Sequence, residues 1–258
     1  LYKYGQWCRE NNKQLWNIIV TSDHSIGDMN YQINSEHDIR WQFNSSIAYG
    51  SKGIYYYTLF SKSDDAFDSP VEITRNQDEL ITDVLPYSKY TYIRNVNKSF
   101  LRKYGDLFLK LTLNQVYQVN MNQVDDKKYF TPLLTNPEDL FGVESFMLQN
   151  LFVKNEHGNE INNHPLIISR FLDESTDAQY FMIVNNCTKT QIICKTSLMI
   201  YPNKDVFIIE KDGSLIKKCF SLNQNKVISI DSTIIPGGEV VYKIDNSNYA
   251  MNLHFKIN

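Results

Sequence analysis

No excess of either charge marks this sequence: 26 basic residues stand against 29 acidic ones, a formal net charge of −3, so the basic footprint of a nucleic-acid-binding chain is missing. No apolar run approaches the roughly 20 residues that a membrane-spanning helix requires. Cysteine is scarce, with Cys8, Cys187, Cys194 and Cys219 spread over 258 residues and no CxxC pair among them, so neither a disulfide scaffold nor a structural zinc site organises the chain. A bridge from Cys219 to Cys187 or Cys194 and a set of free buried thiols are both compatible with that spacing. Also absent are GxSxG, HExxH and any phosphate-cradling glycine-rich loop. Asp64, Asp65 and Asp68 lack the glycine and the spaced oxygen ligands of a calcium loop, and His157 and His164 lack metal-ligand spacing, so neither a metal nor a cofactor is expected. The chain opens on Leu1, not Met, and runs straight into amphipathic sequence without the basic and apolar regions of a signal peptide, which reads as a processed or truncated piece.

What is present divides unevenly. Hydrophobic residues make up 42% of the chain, enough for one large core or two smaller ones. All three tryptophans, Trp7, Trp16 and Trp41, fall in the first 41 residues, while the sequence beyond about residue 115 reads as short strands separated by polar turns. Two architectures are therefore expected, divided as residues 1–112 and 113–258.

In the first part Tyr2 to Asn12 can form a helix. The run Leu15-Trp16-Asn17-Ile18-Ile19-Val20 suits a strand buried on both faces, as in a parallel sheet. Ser35, with Asp38 three residues on, marks a helix start; Ile39, Phe43 and Ile47 recur every four residues on one face, and Gly50 ends the helix. Ile54 to Phe60, rich in aromatic and branched residues, predicts a second strand. A strand, helix and strand joined in this way make parallel neighbours. After an acidic loop, Pro86 and Ser88 introduce a long helix whose buried face carries Ile93, Val96, Phe100, Leu101 and Tyr104, with Gly105 ending or bending it. Beyond Val116 the period changes to two. Strands are expected at 116–119, 146–153, 166–171, 180–184, 192–200, 206–209, 227–230, 240–244 and 253–257, punctuated by Lys211-Asp212-Gly213 and Pro236-Gly237-Gly238, the pattern of an antiparallel β-sandwich.

The segment Asp38-Ile39-Arg40-Trp41-Gln42-Phe43 through Ala48-Tyr49-Gly50-Ser51-Lys52-Gly53-Ile54-Tyr55-Tyr56-Tyr57-Thr58 resembles a stretch near the end of the (β/α)8 barrel of certain glycoside hydrolases, where Arg-x-Gln opens a helix ending Leu-Ala-Tyr-Gly-Ala-Lys-Gly-Ile. Trp16 to Ser22 then resembles the seventh barrel strand, Ile54 to Phe60 the eighth, and Lys89 to Leu111 the last helix, with Arg94-Asn95-Val96-Asn97 similar to a recurring motif. Ile168-Ser169-Arg170-Phe171, Tyr180 to Asn185 and Pro236-Gly237-Gly238 resemble the C-terminal sandwich of such enzymes. The resemblance implies a fold of the α/β plus all-β class: a partial TIM barrel, consisting of its last strands and helices, followed by an antiparallel β-sandwich. A barrel needs eight strands and about 250 residues. Two strands alone would leave open sheet edges and an apolar stripe that call for a missing N-terminal barrel segment or a partner chain.

Glycoside hydrolysis uses two carboxylates. The resemblance places them at the ends of barrel strands four and seven; strand four is not in this sequence, and Thr21-Ser22-Asp23-His24 puts Asp23 where Glu is usual. Asp23 is the catalytic candidate, with capping of a loop as its other reading. The resemblance implies sugar contacts for His24 and aromatic platforms at Tyr57 and Phe60, with packing in the barrel core the alternative for the two aromatics. Arg40 and Gln42 are expected to brace the helix, and Trp41 to pack. The implied function is the C-terminal portion of a glycoside hydrolase acting on a carbohydrate substrate, inactive alone because the strand-four carboxylate is absent, and secreted or cell-surface as in the family. The rival readings are a non-catalytic carbohydrate-binding or assembly module and a degenerate, inactive barrel. Neither nucleic acid nor membrane is an expected partner.

Overall fold

The computed structural model describes residues 1–26, 29–62, 69–78, 80–119, 146–161, 163–221 and 224–246. Helix α1 (Tyr2–Glu10) leads into strand β1 (Leu15–Val20), and a small hairpin of β2 (His24–Ile26) and β3 (Met29–Tyr31) precedes helix α2 (Glu36–Ala48). The start of α2 is set by its sequence: the Asp38 carboxylate reaches back to the Ser35 amide at 2.9 Å and the Asn34 amide at 3.1 Å, satisfying donors that a helix N-terminus leaves open. Gly50, at φ 86°, turns the chain into β4 (Ser51–Tyr57). β4 lies parallel to β1, with Ile18 opposite Tyr55 and Val20 opposite Tyr57. The expected parallel pair joined through a helix is therefore present, and among the described residues it forms a sheet of two strands.

A second small sheet went unread in the sequence. β5 (Phe60–Lys62), β6 (Val71–Arg75) and β7 (Ile81–Pro86) pair in that order, and every residue of β7 is solvent-exposed, which is why no burial pattern announced it. The chain then enters α3 (Ser88–Tyr104), ending at Gly105 with φ 53°, and the short α4 (Leu107–Lys110).

The remainder is antiparallel β: β8 (Thr112–Val119), β9 (Phe146–Lys154), β10 (Leu166–Asp173), β11 (Ala178–Asn185), β12 (Ile192–Ile200), β13 (Lys204–Ile209), β14 (Leu215–Ser221), β15 (Lys226–Ile234) and β16 (Glu239–Asn246). Six strands run in the order β14-β13-β16-β11-β10-β8, and three in the order β15-β12-β9. The expected strands match these with ends shifted by a few residues. β14 was missed because its Ile216-Lys217-Lys218 core reads as a charged turn extension, and 253–257 lies outside the described residues, as do Asp64, Asp65 and Asp68. Cys187 and Cys194 are free thiols, so neither bridge to Cys219 forms.

Between the two sheets lies one core, with Leu148, Cys194 and Leu198 facing Ile168, Phe181 and Tyr242. The opposite face of the six-stranded sheet is also covered. Ile167, Phe171, Tyr180, Met182 and Val241 join Ile39, Phe43, Ile93, Val96 and Phe108 of the helices in a second core. That double covering explains β11, in which all eight residues are buried and no alternation survives. The helices are thus a third layer on the sandwich, and the chain as a whole is a mixed, mostly β structure. Ser169 Oγ fastens it by donating to the Ala48 carbonyl at 2.7 Å.

Candidate functional site

The site implied by the resemblance is the end of β1 and β4. There the two chains are stitched past the strands themselves. The Thr21 amide donates to the Tyr57 carbonyl at 2.7 Å, Thr21 Oγ1 to the Thr58 carbonyl at 3.0 Å, and the Thr58 amide to Ser22 Oγ at 3.3 Å. Thr21 and Ser22 are fully buried, so the residues just before Asp23 are fixed. The Tyr57–Thr58 peptide is cis.

Asp23 is committed to structural bonds. Its Oδ1 accepts from Lys89 Nζ at 2.9 Å and from the Ile33 amide at 2.7 Å. Lys89, at the start of α3, is 5% exposed, so Asp23 supplies countercharge to a buried ammonium while tying down the loop that leads into α2.

The other candidates are distributed among three sheets. His24 stands on β2 opposite Tyr31, Tyr57 ends β4, and Phe60 opens β5 opposite Val71. Only Tyr57 belongs to the parallel pair, and it is half exposed. It continues an aromatic face: Trp16, Ile18, Tyr55 and Tyr57 all point away from the helices and are 50–62% exposed. The Trp16 and Tyr55 rings lie 5.4 Å apart, and the indole covers Gly53 so closely that a Cβ there would meet it at 2.4 Å. The opposite face of β4 is anchored. Tyr56 donates its hydroxyl to Asn97, the last residue of the Arg94-Asn95-Val96-Asn97 motif, and burial pushes its phenol up to about 12.

The bracing expected of Arg40 and Gln42 takes specific forms. The Gln42 carboxamide clamps Val20, accepting from its amide at 2.8 Å and donating to its carbonyl at 2.9 Å. Arg40 pairs with Glu36 and reaches the Pro236 carbonyl at 3.3 Å. Trp41 does more than pack, since its indole nitrogen donates to Asn186. Gly237, at φ 64°, sits so close to α2 that a Cβ would come within 2.6 Å of the His37 carbonyl. The helix motif and the Pro236-Gly237-Gly238 turn, far apart in sequence, therefore meet.

Beside that contact lies a constellation that sequence reading missed. Glu239 accepts from Lys103 Nζ at 3.0 Å, from the Tyr104 hydroxyl at 2.8 Å and from Asn44 Nδ2 at 2.6 Å. Burial, reinforced by the Glu239 charge, holds the Tyr104 phenol well above its usual range and keeps it a donor. Asn44, Lys103 and Glu239 border a cleft of about 820 Å³ between α2, α3 and the sandwich. No local signal links positions 44, 103, 104 and 239; the sequence marked Tyr104 as a buried helix residue and the turn just before Glu239, but not their meeting. Among the described residues no group of His, Cys, Asp or Glu has the arrangement of a metal site.

Parallel strands bridged by a helix, docked through that helix onto an antiparallel two-sheet stack, define the class of this chain as far as its architecture goes. No family model matches it, and no curated protein does. Among solved structures it aligns with the crystal structure of SrfJ from Salmonella typhimurium at 10% identity and a TM-score of 0.33, over 95% of this chain and 38% of that one. The chain therefore spans well under half of that structure, and at this score the overlay does not establish a common fold.

Proposed function

We propose that this chain is the closing portion of a (β/α)8 glycoside hydrolase with its C-terminal β-sandwich, acting on a glycan and unable to hydrolyse it alone. The observation that supports this reading is the parallel pairing of β1 with β4 through α2, with the sandwich seated on that same helix by way of Pro236 and Gly237. The aromatic face at Tyr57 has the flat, half-exposed character on which the apolar side of a sugar ring stacks. The chemistry needs a second carboxylate, and Asp23, bound to Lys89, does not provide an acid and a base at once.

The test joins turnover with binding. The purified chain should leave nitrophenyl glycosides intact, yet show saturable binding on a glycan array that Tyr57→Ala weakens by about tenfold. Robust turnover would contradict the missing-carboxylate reading. Absence of any glycan binding would sink the proposal, and binding indifferent to Tyr57→Ala would move the function to a carbohydrate-binding sandwich.

A further inference from the structure

We infer that the cleft between α3 and the β13–β14 hairpin is a second ligand site, built to receive a short acidic oligosaccharide whose sulfate or carboxylate groups meet lysines and whose hydroxyls meet carboxylates and amides. Four cations of its lining come from two directions. Lys98 and Arg102 lie four residues apart on α3, so they share one face of the helix. Lys211 and Lys218 approach from the turn after β13 and from β14. On β14, Lys217 pairs with Phe207 and Cys219 with Val206, so the ladder skips Lys218, a bulge of the kind that re-aims a side chain. The two walls are fastened to each other. Gly213, at φ 86°, rests on the end of α3, where a Cβ would meet the Lys103 carbonyl oxygen at 3.0 Å and that of Arg102 at 3.1 Å. Spacing between the cations is therefore set by the fold before any ligand arrives.

Several charged groups of the lining are already spent, and those left over define the occupant. Arg40 is paired with Glu36, and Lys103 with Glu239. Arg102 sits in the last turn of α3, where a cation offsets the helix dipole, and it assists Ser214 in holding the Asp212 carboxyl below the usual carboxylate range. Lys98, Lys211 and Lys218 enter no side-chain hydrogen bond or ion pair among the described residues, and all three are exposed. In a chain whose net charge is −3, this concave surface gathers like positive charges that an anion between them would offset. Glu210 and Asp231 border the same cleft. They repel a bare inorganic anion but accept hydrogen bonds from hydroxyls, as does the Gln191 carboxamide. A nucleobase would lack a ring to stack on. Phe100 is the aromatic residue of the lining, and its own ring is packed against Phe43, Tyr104 and Phe108 with centroids 4.9–5.7 Å apart. An acidic sugar carries anions and hydroxyls in one molecule, and the cleft volume lies within the roughly 300–1,000 Å³ of small-molecule sites. This site stands apart from the glycosidase reading, since among the described residues none of β1 or β4 borders it.

The test titrates the whole chain by calorimetry with a heparin-derived tetrasaccharide, with tetragalacturonate, with neutral cellotetraose, with a short single-stranded DNA and with a glutamate tetrapeptide. At least one acidic tetrasaccharide should bind saturably and lose affinity as salt rises, and the arm that binds distinguishes sulfate from carboxylate. Lys98→Glu and Lys218→Glu should each weaken that binding by about fivefold or more, whereas Lys13→Glu, the same charge change at an exposed position away from the cleft, should stay within about twofold. In the unaltered chain the bound sugar should slow acetylation of Lys98, Lys211 and Lys218 relative to Lys13, a readout that needs no variant to fold. No binding of either acidic tetrasaccharide, or cellotetraose binding that Lys98→Glu and Lys218→Glu also weaken, would overturn the assignment. So would DNA or the glutamate peptide binding as tightly, an equal loss with Lys13→Glu, or acetylation unaltered by the sugar. Tyr57→Ala should leave the acidic-sugar binding unchanged, so failure of the cleft and failure of the glycosidase reading are told apart.

Discussion

β11 and the β1–β4 pair differ in how they are covered, and the structure reverses the two expectations: the period of two of a sandwich strand for β11, and strands buried on both faces for the β1–β4 pair. β11 is buried on both faces, by the second sheet on one side and by α2 and α3 on the other. Among the described residues the β1–β4 pair is covered on the helix side alone: Ile19 is 2% exposed while its neighbour Ile18 is 62% exposed. Burial along each strand thus follows which of its faces the described residues cover.

The largest contrast should come from paired truncations. Phe181→Ala, at a fully buried ring stacked near Tyr242, should cost about 3–5 kcal/mol in urea unfolding, whereas Ile18→Ala should fall within about 0.5 kcal/mol of wild type. A large loss at Ile18 would mean that the outer face of β1 is covered in solution. Next comes the contact that holds the helical layer to the sandwich. Glu239→Ala strands Lys103, Tyr104 and Asn44 together in a part-buried cleft and should cost about 3 kcal/mol, with Glu239→Gln recovering part of it. If Glu239→Ala melts like wild type, the layers do not depend on this clasp.

The smallest and most graded effect is alkaline. Burial raises Tyr56, Tyr180 and Tyr242 to about 12, and Cys194 likewise to about 12. Their folded-state values lie above the unfolded ones, so this stabilisation is complete below about pH 8.5–10 and declines as pH rises toward 12. Midpoints of urea unfolding measured across that range should fall progressively. Tyr56 reports the helical layer and Tyr242 the sandwich core, so Tyr56→Phe and Tyr242→Phe should each remove a share of the slope. A flat profile would show that these hydroxyls are not buried as described.

Much of this fold was legible because local chemistry decided it. The α2 start follows from Ser35 and Asp38, its end from Gly50, and the sandwich strands from a period of two. What escaped was written in long-range contacts. β7 lacks burial, β14 carries lysines, and the Glu239 clasp unites positions that no window of sequence compares. At the candidate site the sequence proposed four residues by position. Asp23 proved to be tied to Lys89, a partner 66 residues away whose burial could not be read from its neighbours.

The seating of Gly237 on α2 also sets an order of events during synthesis. Asn44 donates to the Gly237 carbonyl across 193 residues, so the helix cannot find its seat until that turn has been made. At ribosomal speeds of about 5–20 residues per second, α2 waits roughly 10–40 s after its own emergence. Throughout that interval the stripe of Ile39, Phe43 and Ile47 has α3, solvent or a chaperone to lean on, which leaves α2 in need of shelter long after it has emerged.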